Sequence, residues 1–182
     1  TRRIIFQLPT GAGKTVSFAG LINRYIQKYH KSALVCVHRE ELMMQTRTTL
    51  YNGYKIHAET IIAGKRHIKK SQVYVAMVET LNNKLKKNEH WADHIGLVIV
   101  DEEHIGNHKK IYDFFPNALI VGFTATPVAA TKKDPLKNYF DDIVTGPQIS
   151  ELIDLKSLCP NMTFSLKGIE PKNFGILAGE YK

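Results

Sequence analysis

The sequence predicts an α/β domain, a doubly wound and mostly parallel sheet with helices on both faces. Three observations predict it. Short apolar runs alternate with stretches of helical period along the first two thirds of the chain. Several of those runs are apolar at nearly every position, as strands buried on both faces must be. The first run ends in a glycine-bearing turn that leads directly into a helix-forming stretch.

Taken in order, Arg3–Leu8 is a short apolar strand closed by Pro-Thr-Gly. Lys14–Tyr29 is an amphipathic helix, with Phe18, Leu21, Ile22, Tyr25 and Ile26 at helical spacing. Ala33–His38 is a β-branched run too short for a helix, and Arg39–Leu50 resumes the helical period through Leu42, Met43 and Leu50. Glu59–Ala63 and Val73–Met77 are further strands, and Val78–Lys87 is a helix. Ile95–Asp101 and Ala118–Phe123 are near-continuous apolar strands, and Phe114 and Phe115 are read as core. Beyond Pro127 the pattern loosens. Ile149–Leu158 makes one short helix, and from about Leu166 Gly, Pro and Lys recur without a period. The expected division is one domain over residues 1–165 and a linker over 166–182.

Composition narrows the function classes. The chain has 182 residues, 43% hydrophobic and 23% charged, as in ordinary globular domains. No apolar run approaches the ~20 residues of a membrane span, and the two cysteines, Cys36 and Cys159, have neither metal nor redox spacing. The expected setting is therefore cytoplasmic, with no membrane partner. The formal charge is +8, and residues 1–127 carry 18 of the 25 Lys and Arg but 10 of the 17 Asp and Glu. All the excess lies in the part that holds the motifs, which suits a polyanionic partner such as nucleic acid.

Pro9-Thr10-Gly11-Ala12-Gly13-Lys14-Thr15 stands between a strand and a helix, the context a phosphate loop requires. Gly11 and Gly13 permit positive φ, so backbone N–H groups can approach an anion closely, and the following helix aims its positive end at the same point. Lys14 would reach the β- and γ-phosphates of a nucleotide and the Thr15 hydroxyl would ligate Mg²⁺. Leu8 occupies the position where the general pattern has its first glycine.

The apolar strand through Val100 ends in Asp101-Glu102-Glu103-His104. Ligands of open parallel sheets bind outside the carboxyl ends of the strands, so the pair arrives where a nucleotide would lie. Asp101 fits a Mg²⁺ partner, and Glu102 fits the group that orients the attacking water and takes its proton. Thr124-Ala125-Thr126-Pro127 brings two hydroxyls after another apolar strand, and turn capping is the plainer reading of those threonines.

With these three motifs in this order, the sequence resembles the first RecA-like lobe of a superfamily 2 helicase of the DExH (DEAD/DEAH box) type. PTGAGKT corresponds to motif I, DEEH to motif II and TATP to motif III. The likeness is to the restriction-subunit and phage DNA helicases, which Tyr139–Val144, Gly146–Ile149 and Glu151–Ile153 also resemble. It covers at least residues 3–160. It implies ATP and Mg²⁺ as cofactors and coupling roles for His104, Thr124 and Thr126, with His104 beside the catalytic Lys14, Asp101 and Glu102.

The same resemblance implies nucleic-acid contacts. His38-Arg39-Glu40-Glu41-Leu42 is similar to motif Ia, with Arg39 on a backbone phosphate. Gly64 and Lys65 stand where the family has motif Ib. Val78-Glu79-Thr80-Leu81 resembles motif Ic, with Thr80 as the contact, although Met77 and Glu79 depart from the family's usual Thr and Gln. Lys65–Lys70 is the densest basic run, and a solvated face is its plainer reading. The histidine pairs His90/His94 and His104/His108 lack a third ligand at metal spacing.

No arginine-bearing motif VI follows residue 127, so the expected partners are nucleic acid, DNA in preference to RNA, and a second RecA-like lobe of the same parent chain. Two alternatives stay open: another P-loop NTPase, though the guanine-specific NKxD is absent, and a non-catalytic nucleic-acid-binding module with a vestigial P-loop fold.

Overall fold

The computed structural model describes residues 2–65, 67–85, 90–102, 109–127, 135–162, 176–177 and 180–181. Seven strands form one sheet: β1 (Arg3–Gln7), β2 (Ser32–Val37), β3 (Ala58–Ile61), β4 (Val73–Met77), β5 (Ile95–Asp101), β6 (Leu119–Thr124) and β7 (Asp142–Thr145). Their order is β3-β4-β2-β5-β6-β1-β7 and every pairing is parallel. The helices are α1 (Lys14–Tyr29), α2 (Glu40–Tyr54), α3 (Val78–Leu85), α4 (Lys109–Phe114) and α5 (Ile149–Asp154). A separate antiparallel pair joins β8 (Ile176–Leu177) to β9 (Glu180–Tyr181).

The side-chain period of two along each strand sorts the core into two layers. Ala33, Val35 and Val37 of β2 face Phe18, Ala19 and Ile22 of α1 and Met43 and Leu50 of α2. Leu34 and Cys36 point the other way, into a cluster with Leu81 and Leu85 of α3 and Ile111 and Tyr112 of α4. Helices therefore cover both faces. The seven residues of β5, at the centre of the sheet, are all buried, which is why that strand reads as a near-continuous apolar run.

α1 begins and ends where the sequence places it. Its buried residues, Phe18, Ala19, Ile22 and Ile26, make one stripe. Phe18 meets Phe123 of β6 edge-on with ring centroids 5.6 Å apart, and Phe123 lies 5.2 Å from Phe6 of β1. This aromatic trio fixes the first turn of α1 over the ends of β1 and β6.

The structure departs from the sequence reading at several elements. α2 runs on to Tyr54, the helix expected over 149–158 stops at Asp154, and α4 and β7 were not anticipated. β7 is an edge strand whose four residues are all exposed, so no apolar run marks it. Backbone pairing with β1 holds it, from Ile4↔Asp142 to Gln7↔Thr145, with the Arg3 N–H donating to Asp141 Oδ2 at 2.7 Å. Phe115 is buried as expected, whereas Phe114 is 39% exposed because the six-residue α4 turns only one side to the sheet. Lys86 and Lys87 of the expected third helix lie outside the described residues.

Candidate nucleotide site at the carboxyl edge of the sheet

All seven strands run the same way, so every strand-to-helix turn emerges at one edge. Register brings the motifs level there: Asp101 lies opposite Phe123, and Gln7 opposite Thr124. The Leu8 N–H donates to the Thr124 carbonyl at 3.0 Å, tying the start of the glycine loop to the third motif. Within the loop, the Ala12 N–H closes a turn on the Pro9 carbonyl at 3.1 Å. Gly11 and Gly13 both take φ +81°, and Gly13 caps α1 in the left-handed region. No side chain caps that end, so its N–H groups are left for an anion.

Lys14 leaves the first turn of α1 and crosses the end of β6 to Glu102, with Nζ 2.9 Å from Oε1. The contact is an ion pair. Two buried atoms at this spot have no hydrogen-bond partner among the described residues, Lys14 Nζ and Asp101 Oδ1. Buried polar groups are rarely left so in folded proteins, and two of opposite charge side by side suit an ion or ligand that satisfies both.

Asp101 is 6% exposed. Its carboxyl is pushed up from an ordinary 3.8 to about 6, chiefly by burial and then by the Glu102 charge, against the opposing pull of Lys14 and the Glu102 N–H. Glu102 itself sits at φ +56°, a left-handed conformation that strains a non-glycine residue and that recurs at working sites. Thr124 is fully buried. Its Oγ1 accepts from the Thr126 N–H at 3.1 Å and donates to the Thr126 carbonyl at 3.2 Å, making the tight turn that the plainer reading anticipates. Thr126 is exposed at the mouth of the site.

The other candidate residues share this edge but stand on its far half, above β2, β3 and β4. Arg39 is exposed and is the N-terminal cap residue of α2. Gly64 follows β3 with φ +77°. Lys65 is pinned within the chain, 2.7 Å from Glu59 Oε1 and donating to the Thr60 carbonyl at 3.1 Å. Burial pushes the Glu59 carboxyl up, but the Lys65 hydrogen bond, the Lys69 N–H and the two lysine charges together hold it below its usual value. Thr80 is half-buried in the first turn of α3.

The sequence pattern of the family described as "Type III restriction enzyme, res subunit" matches residues 1–129. The chain belongs to that family. It is a RecA-like lobe of the superfamily 2 helicase type, related to the restriction-subunit and phage proteins. It is 36% identical over 187 residues to the "Putative ATP-dependent helicase IRC3" of Saccharomyces cerevisiae, covering 92% of this chain and 26% of that protein. It is 29% identical to a "51.5 kDa protein" of a Lactococcus phage, covering 97% of this chain and 36% of the relative. The lobe thus spans about a quarter to a third of the curated relatives it matches. The UvsW helicase of bacteriophage T4 has the same fold, with a TM-score of 0.65 at 21% identity, over 80% of this chain and 55% of that one.

For this helicase-type lobe, the structure gathers Lys14, Asp101, Glu102 and Thr124 at one point and sets Arg39, Gly64, Lys65 and Thr80 apart from them. His104 lies outside the described residues. One residue at the loop was missed by sequence reasoning. After α5 the chain folds back, the Ser157 and Leu158 N–H groups both donating to the Leu152 carbonyl at 2.8 and 3.0 Å. Leu158 thereby presses on the glycine loop: a Cβ added at Gly11 would lie 3.1 Å from Leu158 Cδ2. Nothing local in the sequence signals a contact across that separation.

Proposed function

We propose that this lobe binds Mg-ATP between the glycine loop and the ends of β5 and β6, and that in its parent chain it hydrolyses ATP to move along nucleic acid, DNA in preference to RNA. The observation that carries the reading is the juxtaposition of Lys14, Glu102 and Asp101, with Lys14 Nζ and Asp101 Oδ1 both buried and without a hydrogen-bond partner among the described residues.

The donor set fits the cofactor. An anionic oxygen in a nearly closed site, beside a hydroxyl from the first turn of α1, is the hard-oxygen environment that Mg²⁺ selects, so Asp101 and Thr15 are the residues that would hold it. When bound, Mg²⁺ supplies charge neutralisation at the phosphates. The remaining work falls to the chain. Pro9 to Gly13 wrap the phosphate groups with backbone N–H donors, and Lys14 places its ammonium on the terminal phosphates. A triphosphate carries far more negative charge than one carboxylate, so its arrival draws Lys14 away from Glu102. Glu102 is then released to orient the attacking water and take its proton. Thr124 and Thr126, bonded to each other and to the start of the glycine loop through Leu8, link the nucleotide to the far half of the edge.

On that far half Arg39, Gly64 and Thr80 would meet the phosphate backbone, and Lys65 would join only by exchanging Glu59 for a phosphate. Such contacts hold backbone rather than bases, so binding should be independent of sequence and sensitive to salt. A second lobe of the parent, with His104 as a coupling residue on this one, would supply the arginine that stabilises the transferring phosphoryl group. The greater length of the relatives supports that arrangement.

The test is MgATP binding and steady-state hydrolysis by this chain with and without single-stranded DNA, beside Lys14→Ala. Lys14-dependent MgATP binding with turnover near background is the expected result. Absence of MgATP binding would overturn the nucleotide reading and favour a vestigial module.

A further inference from the structure

The opposite edge of the sheet, where the strands begin, carries a second basic surface that the nucleotide site does not use. Two adjoining grooves, of about 620 and 600 Å³, run beneath the starts of β2, β3, β4, β5 and β6 and share His30 and Gln72 in their walls. Lys31, Lys55, Lys70, His30, His57 and His94 line them, and Asp93 is the one acidic residue in either lining. Among the described residues none of the three lysines is paired with a carboxylate, unlike Lys14 and Lys65 at the other edge.

Part of this charge has an ordinary explanation. α1 and α2 both end here, at His30 and Lys55 in the left-handed region, and cations favour helix C-termini. Each helix end contributes only about half a negative charge. The two ends and Asp93 therefore leave the three lysines in excess before any histidine is protonated. Lys70, moreover, precedes a strand and caps no helix.

The aromatic residues point to the class of anion. Tyr29, Tyr51 and Tyr54 are 52%, 45% and 38% exposed, and all three lie at the C-terminal ends of α1 and α2. Tyr54 lines one groove. Lys28 sits 5.3 Å over the Tyr29 ring and Lys55 5.0 Å over the Tyr51 ring. A cation over an exposed ring is held weakly, whereas an unpaired base stacks on a ring more strongly and brings its own phosphate for the displaced lysine. Rings interleaved with lysines are what single strands use; an acidic polypeptide would need the lysines alone.

We propose that this groove is a second binding surface for single-stranded nucleic acid, contacted through Lys31, Lys55 and Lys70 with Tyr29, Tyr51 and Tyr54 as stacking platforms. The surface is independent of ATP and would place a strand on the face away from the nucleotide edge.

The test is anisotropy of fluorescein-labelled dT20 with the full chain, without nucleotide, across a salt series. Lys31→Glu/Lys55→Glu/Lys70→Glu is compared with wild type and with Arg39→Glu, and the thermal midpoint serves as the control for folding. The triple variant should weaken binding at least ~10-fold at low salt and reduce the salt slope by ~2, from three phosphate contacts at ~0.7 each. Tyr29→Ser should weaken dT20 without changing competition by polyglutamate. Wild-type affinity and slope in the triple variant would overturn the proposal. Equal binding of polyglutamate, indifferent to Tyr29→Ser, would overturn it in favour of an acidic polypeptide. If the triple variant does not fold, photocrosslinking of a bromouracil-substituted strand to wild type decides: adducts at Tyr29, Tyr51 or Tyr54 support the groove, and adducts confined to the Arg39 edge sink it. Failure of MgATP binding would leave this result untouched, so the two readings fall separately.

Discussion

Replacing Asp101 by Asn should make the chain more stable while removing its capacity to bind Mg-ATP. In the fold the Asp101 carboxyl titrates near 6, against an ordinary 3.8. At about 1.4 kcal/mol per pH unit, the ionised form is disfavoured in the folded state by about 3 kcal/mol. The folded value lies above the unfolded one, so folding is most favoured below about pH 4, where both states are protonated. That stability is lost as pH rises from about 4 to about 6, and the full penalty persists at neutral pH. Asn keeps the size and loses the charge, so Asp101→Asn should gain about 1–3 kcal/mol at pH 7.5. For a chain of this length that is a rise of roughly 2–10 °C in the thermal midpoint. Thermal unfolding followed by circular dichroism in EDTA, at pH 5 and 7.5, measures both the gain and its pH dependence. The two chains should converge at low pH and diverge at neutral pH. A variant no more stable than wild type at pH 7.5, with the same change between the two pH values, would refute the claim that a buried carboxylate with one unpartnered oxygen is held there for a ligand.

Other perturbations follow from the same geometry. Lys14→Ala should lower MgATP affinity at least ~10-fold, since it removes a charge-assisted contact, with the thermal midpoint nearly unchanged; equilibrium titration with a fluorescent ATP analogue reads it. Gly11→Ala should cost about 1–2 kcal/mol from its positive φ alone, plus crowding against Leu158, and Leu158→Ala should recover only the crowding part in urea titrations. Phe18→Ala should cost about 3–5 kcal/mol by opening a cavity beside Phe123, and because that ring seats α1, nucleotide affinity should fall with it. Glu59→Gln should free Lys65 and tighten single-stranded DNA binding at low salt by a factor of a few; unchanged affinity would remove Lys65 from the nucleic-acid surface.

How much could be read in advance depends on what holds each element. α1 and β5 were legible to the residue because burial holds them: one stripe on the helix, and a near-continuous apolar run up to Asp101 in the strand. β7 was not, because it is held by backbone pairing with β1 and exposes every side chain. The ends of α2 and α5 were misjudged by four residues each, since their last turns rest on capping and local carbonyl contacts rather than on the buried face.

The sequence by itself determined the chemistry of the nucleotide site. A glycine loop before a helix and a carboxylate pair after a buried strand can meet at only one edge of a parallel sheet, so motif order implies their convergence. Tertiary structure alone decided how that chemistry rests: Lys14 on Glu102, Asp101 buried with its Oδ1 unpartnered among the described residues, Lys65 held by Glu59, and Leu158 against Gly11. Each of these is a long-range or electrostatic contact between side chains, set by strand register and by what water is excluded, and no local pattern of residues encodes it. The groove at the opposite edge belongs to the same class, because its lysines and tyrosines come from the ends of two helices and the starts of several strands that only the sheet order brings side by side.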